Sequence, residues 1–243
     1  MRPYPYTIRS EPYLQGPHAQ SVFLPNLRYL ALGFLEEDCA ISLLHSLITP
    51  GLTNVALEFI DNCTEFVKEL VGKMRLPDPL PEYVSAPQRR VFENQTRPTS
   101  ITNVKLGPFL CDESCAYLFY SNCPNLKRLR LSTRFEPETF ASVLIDDHHG
   151  SQHMSDIQSS EHFSAISTGE TTLCKQLDTL IVSGMTGHEL VKLVKALETL
   201  GAPVRELKVD EKDRMDNKDE EFEWLSKHVK SLSIEFDDNV TTR

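Results

Sequence analysis

The feature that most constrains this chain is an apolar triplet that returns at nearly fixed intervals. Its cleanest copy is Leu126-Leu129-Leu131, spaced Leu-x-x-Leu-x-Leu, and the others are Leu27-Leu30-Leu32, Leu52-Val55-Leu57, Ile101-Val104-Leu106, Leu177-Leu180-Val182, Val204-Leu207-Val209 and Val229-Leu232-Ile234. Successive starts lie 25, 49, 25, 51, 27 and 25 residues apart. The last two members of each copy are spaced as residues on one face of a β-strand. One strand and one return fit into each short interval, so the units can only stack side by side and share a core with their neighbours. Each long interval is about two units and holds a degenerate or looped-out copy.

This period and core predict an α/β leucine-rich-repeat solenoid, with about seven short parallel strands on the concave side and helices on the convex side. The stack is expected over residues 24–236, between an N-terminal cap or irregular segment at 1–23 and a tail at 237–243. Pro77, Pro79, Pro81, Pro87 and Pro98 exclude a regular helix and predict an insertion near 75–100. A second insertion is expected near 146–172, which is polar, Ser- and His-rich and aperiodic.

Between these segments the returns read as helices. Ala40, Ile41, Leu44, Leu47 and Ile48 share a face that ends at Pro50-Gly51. Asp61 or Asn62 can cap a helix carrying Phe66, Val67, Leu70, Val71 and Met74, and Asp112 can cap one carrying Cys115, Leu118 and Phe119. Pro137 suits the first turn of a helix bearing Phe140, Val143 and Leu144. Thr186 and Glu189 form a capping box ahead of Leu190, Leu193, Val194 and Leu197, with Gly201 as the stop. A last, acidic helix carries Phe222, Leu225 and Val229, with Phe222 and Trp224 expected to cover the final unit.

Charge and cysteine usage narrow the function classes. The formal net charge of −10 repels phosphate backbones, so nucleic acid is an unlikely partner. No apolar run is long enough to span a bilayer. The opening Met1-Arg2-Pro3-Tyr4-Pro5-Tyr6 lacks the apolar region of a secretory signal, which leads us to expect a cytoplasmic or nuclear monomer with reduced cysteines. The sequons at Asn62, Asn94 and Asn239 are then expected to be unused.

The segments Asn122-Cys123-Pro124-Asn125-Leu126 and Leu24-Pro25-Asn26-Leu27 resemble the leucine-rich repeats of F-box proteins, above all their large fungal groups. In that family Cys-Pro-x-Leu-x-x-Leu-x-Leu closes a helix and opens the next strand. The resemblance implies a substrate-recognition subunit of a cullin-type ubiquitin ligase, whose repeat arc grips a protein target. The F-box that holds the ligase adaptor is not recognisable ahead of the first triplet, so adaptor binding is not carried over. The family's asparagine three residues beyond the triplet is replaced here by Leu35, Ile60, Phe109, Arg134, Met185, Lys212 and Asp237.

If the triplets point inward, the intervening strand residues line the concave face. That row gives the candidate partner-binding residues Tyr29, Asn54, Glu58, Asn103, Lys105, Arg128, Arg130, Thr179, Ile181, Glu206, Lys208, Asp210 and Glu235. Lys105, Arg128 and Arg130 are expected to form a basic patch facing an acidic end. No Gly-rich phosphate loop, Gly-x-Ser-x-Gly elbow or His-Glu-x-x-His motif occurs, and neither a catalytic residue nor a cofactor is assigned. His148, His149 and His153 beside Asp146 and Asp147 read as a solvated loop, and Cys111, Cys115 and Cys123 as core packing. The reading is a non-catalytic protein-protein interaction module. Its alternatives are a truncated F-box remnant and a small-molecule receptor without catalytic activity.

Overall fold

The computed structural model describes residues 21–59, 61–75, 100–133, 139–145, 173–210 and 220–235. The two expected insertions lie almost wholly outside these residues, as do Pro137, the histidine loop and the C-terminal tail.

Seven strands form one parallel sheet in strict chain order: β2 (Tyr29–Gly33), β4 (Asn54–Glu58), β5 (Asn103–Leu106), β6 (Arg128–Ser132), β7 (Thr179–Ser183), β8 (Glu206–Asp210) and β9 (Ser231–Glu235). Each carries the last two residues of one triplet, and the register follows the sequence pattern. Leu30, Val55, Val104, Leu129, Leu180, Leu207 and Leu232 align across the sheet, and so do Leu32, Leu57, Leu106, Leu131, Val182, Val209 and Ile234. A one-residue slip anywhere would turn a whole apolar set to the opposite face, so burial fixes the register.

Among the described residues six helices connect the strands: α1 (Glu37–Ser46), α2 (Thr64–Arg75), α3 (Glu113–Ser121), α4 (Thr139–Ile145), α5 (Gly187–Thr199) and α6 (Glu220–His228). Each packs on the next, and their buried residues join the triplets in one hydrophobic cluster. Burying a Leu or Val side chain there contributes about 1.5–3 kcal/mol.

Two backbone devices repeat from unit to unit. The N–H of the first triplet residue donates to the carbonyl three residues earlier, from Leu27 to Leu24, Leu52 to Thr49, Leu126 to Cys123 and Leu177 to Cys174. The next residue's carbonyl accepts two N–H groups from the following unit: Thr102 O from Lys127 and Arg128, Lys127 O from Asp178 and Thr179, and Asp178 O from Arg205 and Glu206. The ladder therefore begins ahead of the strands proper.

Several local expectations are corrected. Val22–Phe23 (β1) is not irregular but pairs in parallel with Leu47–Ile48 (β3), so α1 ends at Ser46 and the last two residues of its expected apolar face become a strand. Asp112 sits at the N-cap of α3 without a side-chain capping bond; its backbone N–H donates to Thr64 Oγ1 instead. Asn62 Oδ1 accepts both the N–H and the hydroxyl of Thr64, the first residue of α2. The Thr186–Glu189 capping box forms as read, and Gly201 stops α5 with φ +74°. Trp224 packs half-buried on the core, with Lys195 Nζ 4.9 Å from its ring centroid and the His228 ring stacked on it.

The core also holds a chain of aromatic rings. Phe59 contacts Phe66 and Phe109 at centroid distances of 5.0 and 5.4 Å, and Phe109 meets Phe140 at 5.3 Å. Phe140 then contacts Phe119 at 5.7 Å and Tyr120 at 5.8 Å. Phe109 lies three residues past the end of its triplet, in the loop just beyond β5, while Phe140 belongs to α4. At the open end of the stack Phe34 aligns with Phe59 by strand register yet is 68% exposed, against 1% for Phe59.

Candidate functional site

The sheet face opposite the triplets carries two rows of side chains. One runs Tyr29, Asn54, Asn103, Arg128, Thr179, Glu206 and Ser231; the other runs Ala31, Ala56, Lys105, Arg130, Ile181, Lys208 and Ser233. Glu58 and Asp210 extend the face at the strand ends, while the side chain of Glu235 lies outside the described residues.

The candidates do not contribute alike. Asn54 and Asn103 are joined to each other through Asn103 Nδ2 and Asn54 Oδ1, and Asn54 Nδ2 also donates to Arg28 O at 3.1 Å. These amides hold strands together. Lys105 pairs with Glu58 at 3.9 Å, Lys208 with Glu206 at 3.4 Å, and Thr179 Oγ1 donates to Glu206 Oε2 at 3.1 Å. Pairs this exposed contribute little to stability.

Two candidates fail as contact residues. Ile181 is 3% exposed and Thr179 9%, so neither offers a surface. Ile181 stands in its row between Arg130 and Lys208, long side chains whose methylene stems can lie across a shorter apolar neighbour. Alternation alone predicts a face; it does not predict what neighbouring strands do to it.

The expected basic patch is displaced. Lys105 is paired with Glu58, and Arg130 is half-buried. Arg128 instead opens onto a hollow of about 520 Å³ at the strand starts, lined also by Lys127, Lys175, Asp178 and Arg205. Arg205 Nε lies 3.4 Å from Asp178 Oδ1. Lys127, Arg128 and Lys175 have no ion-pair partner among the described residues. Residues 127, 178 and 205 each follow the first triplet residue, a position where the chain has not yet settled into strand alternation. The signal was a third column, Arg28, Thr53, Thr102, Lys127, Asp178, Arg205 and Lys230, between the first two triplet rows.

The cysteines belong to the core. Cys63, Cys111, Cys115, Cys123 and Cys174 are buried, and only Cys39 is exposed. Cys123 and Cys174 occupy the same place in the turn ahead of a strand. Burial pushes the Cys174 thiol up to about 12. Burial, with help from Glu37 and Asp61, pushes Cys63 up to about 11. The thiolate is the reactive form, so these groups are inert at neutral pH. One thiol per native chain should react promptly with Ellman's reagent and the rest only in denaturant; prompt reaction of a second would place a turn cysteine at the surface. The buried thiols stay protonated while those of the unfolded chain ionise near 9.0, so stability should fall as pH rises through that value. Thermal melts across alkaline pH read this directly.

Among the described residues no group of three or more His, Cys, Asp or Glu is placed to hold a metal ion, and no helix is long and apolar enough to cross a membrane. A scan against protein-family models and a search of curated proteins both return no match for this chain.

Proposed function

We propose that the chain is a leucine-rich-repeat solenoid acting as a non-catalytic protein-interaction module through its open sheet face. The observation that carries this reading is the shared register of seven parallel strands among the described residues, which sets the side chains between the triplet positions, most of them polar, in regular rows across the sheet. Stacked repeats commonly use such faces to bind partners. The finer form, a ubiquitin-ligase substrate receptor in the cytoplasm or nucleus, rests on the resemblance to F-box repeats alone.

A photo-crosslinking side chain placed at Lys105 on the sheet face, and separately at Lys192 on α5, tests the reading in cells. Both positions are exposed. The expected result is a protein adduct from position 105 that position 192 does not give. Equal adducts from both, or none from 105, would overturn it. Co-purification of a cullin adaptor with the chain would support the ligase form.

A further inference from the structure

We infer that the hollow at the starts of β5 to β8 docks an acidic peptide segment of the protein partner, its carboxylates meeting Arg128, Lys127 and Lys175. This deepens the interaction reading and rests on it. The hollow concentrates four cations and one carboxylate in a chain whose net charge is −10. Asp178 faces only Arg205, at 3.4 Å, which leaves the other three cations without a counter-charge among the described residues. Like charges gathered this closely repel one another, and an anionic ligand removes that repulsion while gaining charge-assisted hydrogen bonds.

The backbone beneath them is fixed. Lys127 and Arg128 donate their N–H groups to Thr102 O, and Asp178 and Thr179 donate theirs to Lys127 O. The guanidinium of Arg128 and the ammonium of Lys127 therefore project from a hydrogen-bonded ladder, and their anchor points need no ordering on binding. Asn103, on the neighbouring strand, lines the same hollow with its Nδ2 already donating to Asn54 and Thr102, so the cations alone meet the ligand.

Charge complementarity separates a peptide from a nucleic acid. Tight phosphate-backbone binding neutralises many phosphates along an extended track. Here the hollow gathers four cations, with Glu206 on β8 and the acidic first turn of α6 further along the chain, so a long polyanion meets repulsion where a short acidic segment does not.

The test uses the full chain and a fluorescein-labelled oligoglutamate peptide in fluorescence anisotropy, with an oligolysine peptide and a single-stranded DNA oligonucleotide as comparators. Oligoglutamate should bind at low salt and weaken as salt is added, while oligolysine should not compete for it. The double variant Arg128→Glu, Lys175→Glu should weaken binding about tenfold or more, and Lys192→Glu with Lys227→Glu, on the helices α5 and α6, should leave it unchanged. Arg128→Gln with Lys175→Gln, checked by circular dichroism, should also lose binding and separates lost charge from misfolding. Absence of oligoglutamate binding, equal losses in both double variants, or tighter binding of DNA would each overturn the proposal. If position 105 still crosslinks a partner in the Arg128→Glu, Lys175→Glu chain as strongly as in the unaltered one, the docking proposal falls and the interaction reading stands.

Discussion

Phe140→Ala should cost about 3–5 kcal/mol, a large share of the roughly 5–15 kcal/mol that holds an ordinary domain together. The ring is buried, touches Phe109, Phe119 and Tyr120, and belongs to a helix of only seven residues. Such a short helix has little stability of its own, and its place depends on packing. The Tyr120 hydroxyl donates to Phe140 O at 3.1 Å, a bond to the backbone that the substitution leaves available. The loss therefore measures the ring and its cavity. Urea unfolding monitored by circular dichroism would give the figure, and Phe34→Ala is the control. Phe34 aligns with buried Phe59 but stands in solvent at the end of the row, and its truncation should stay within about 0.5 kcal/mol. A small effect at Phe140 together with a large one at Phe34 would mean that the chain of rings runs elsewhere.

Gly184→Ala is the second large effect, at about 2–4 kcal/mol. Two costs combine there. Gly184 has φ +86°, a conformation that side-chain-bearing residues adopt only under strain, and an added Cβ would lie 1.8 Å from the backbone oxygen of Thr133. That oxygen belongs to the neighbouring unit, just past β6, where Thr133 donates its N–H to Ser183 O and Ser183 Oγ donates to Ser132 Oγ. Nothing flexible can move aside, so either the β6–β7 ladder opens or the turn refolds. Gly72→Ala should act in the opposite sense. It lies inside α2 with no heavy atom within 4 Å of the added Cβ, and removing the glycine should stabilise the helix by about 0.5–1 kcal/mol. Opposite signs in the same denaturation assay are the expected result; a neutral Gly184→Ala would show that the positive φ is not required.

The frame was readable because a period of two within strands and a near-constant interval between them leave little freedom. Leu129 and Leu131 could not both face inward unless their six counterparts each did so in register. The capping box at Thr186 was legible for a similar reason, since its two bonds are local and complete. What escaped were features set by neighbours distant in sequence. Phe59, Phe109 and Phe140 sit at no common offset from the triplets, so only the packed helices reveal that they form one chain. Asp112 has the chemistry of a cap and stands at the N-cap, yet its side chain makes no capping bond, and its backbone N–H is tied to Thr64 of the preceding unit. The residues between the triplet positions align in rows across the sheet, but their exposure follows from neighbouring strands, as buried Thr179 and Ile181 show. Arg128 was read from the strand pattern, but the hollow around it was not, because its other cations come from the loop into β7 and from the column ahead of the strands.

Alternation along each strand insulates one side of the sheet from the other. A substitution at Lys105, Lys208 or Ser233 alters what an approaching molecule meets without disturbing the apolar ranks behind it, so such positions can be rewritten one at a time while the frame persists. β7 is the exception. With Thr179 and Ile181 both covered, that strand is committed on its two sides, and the freedom to vary should stop there.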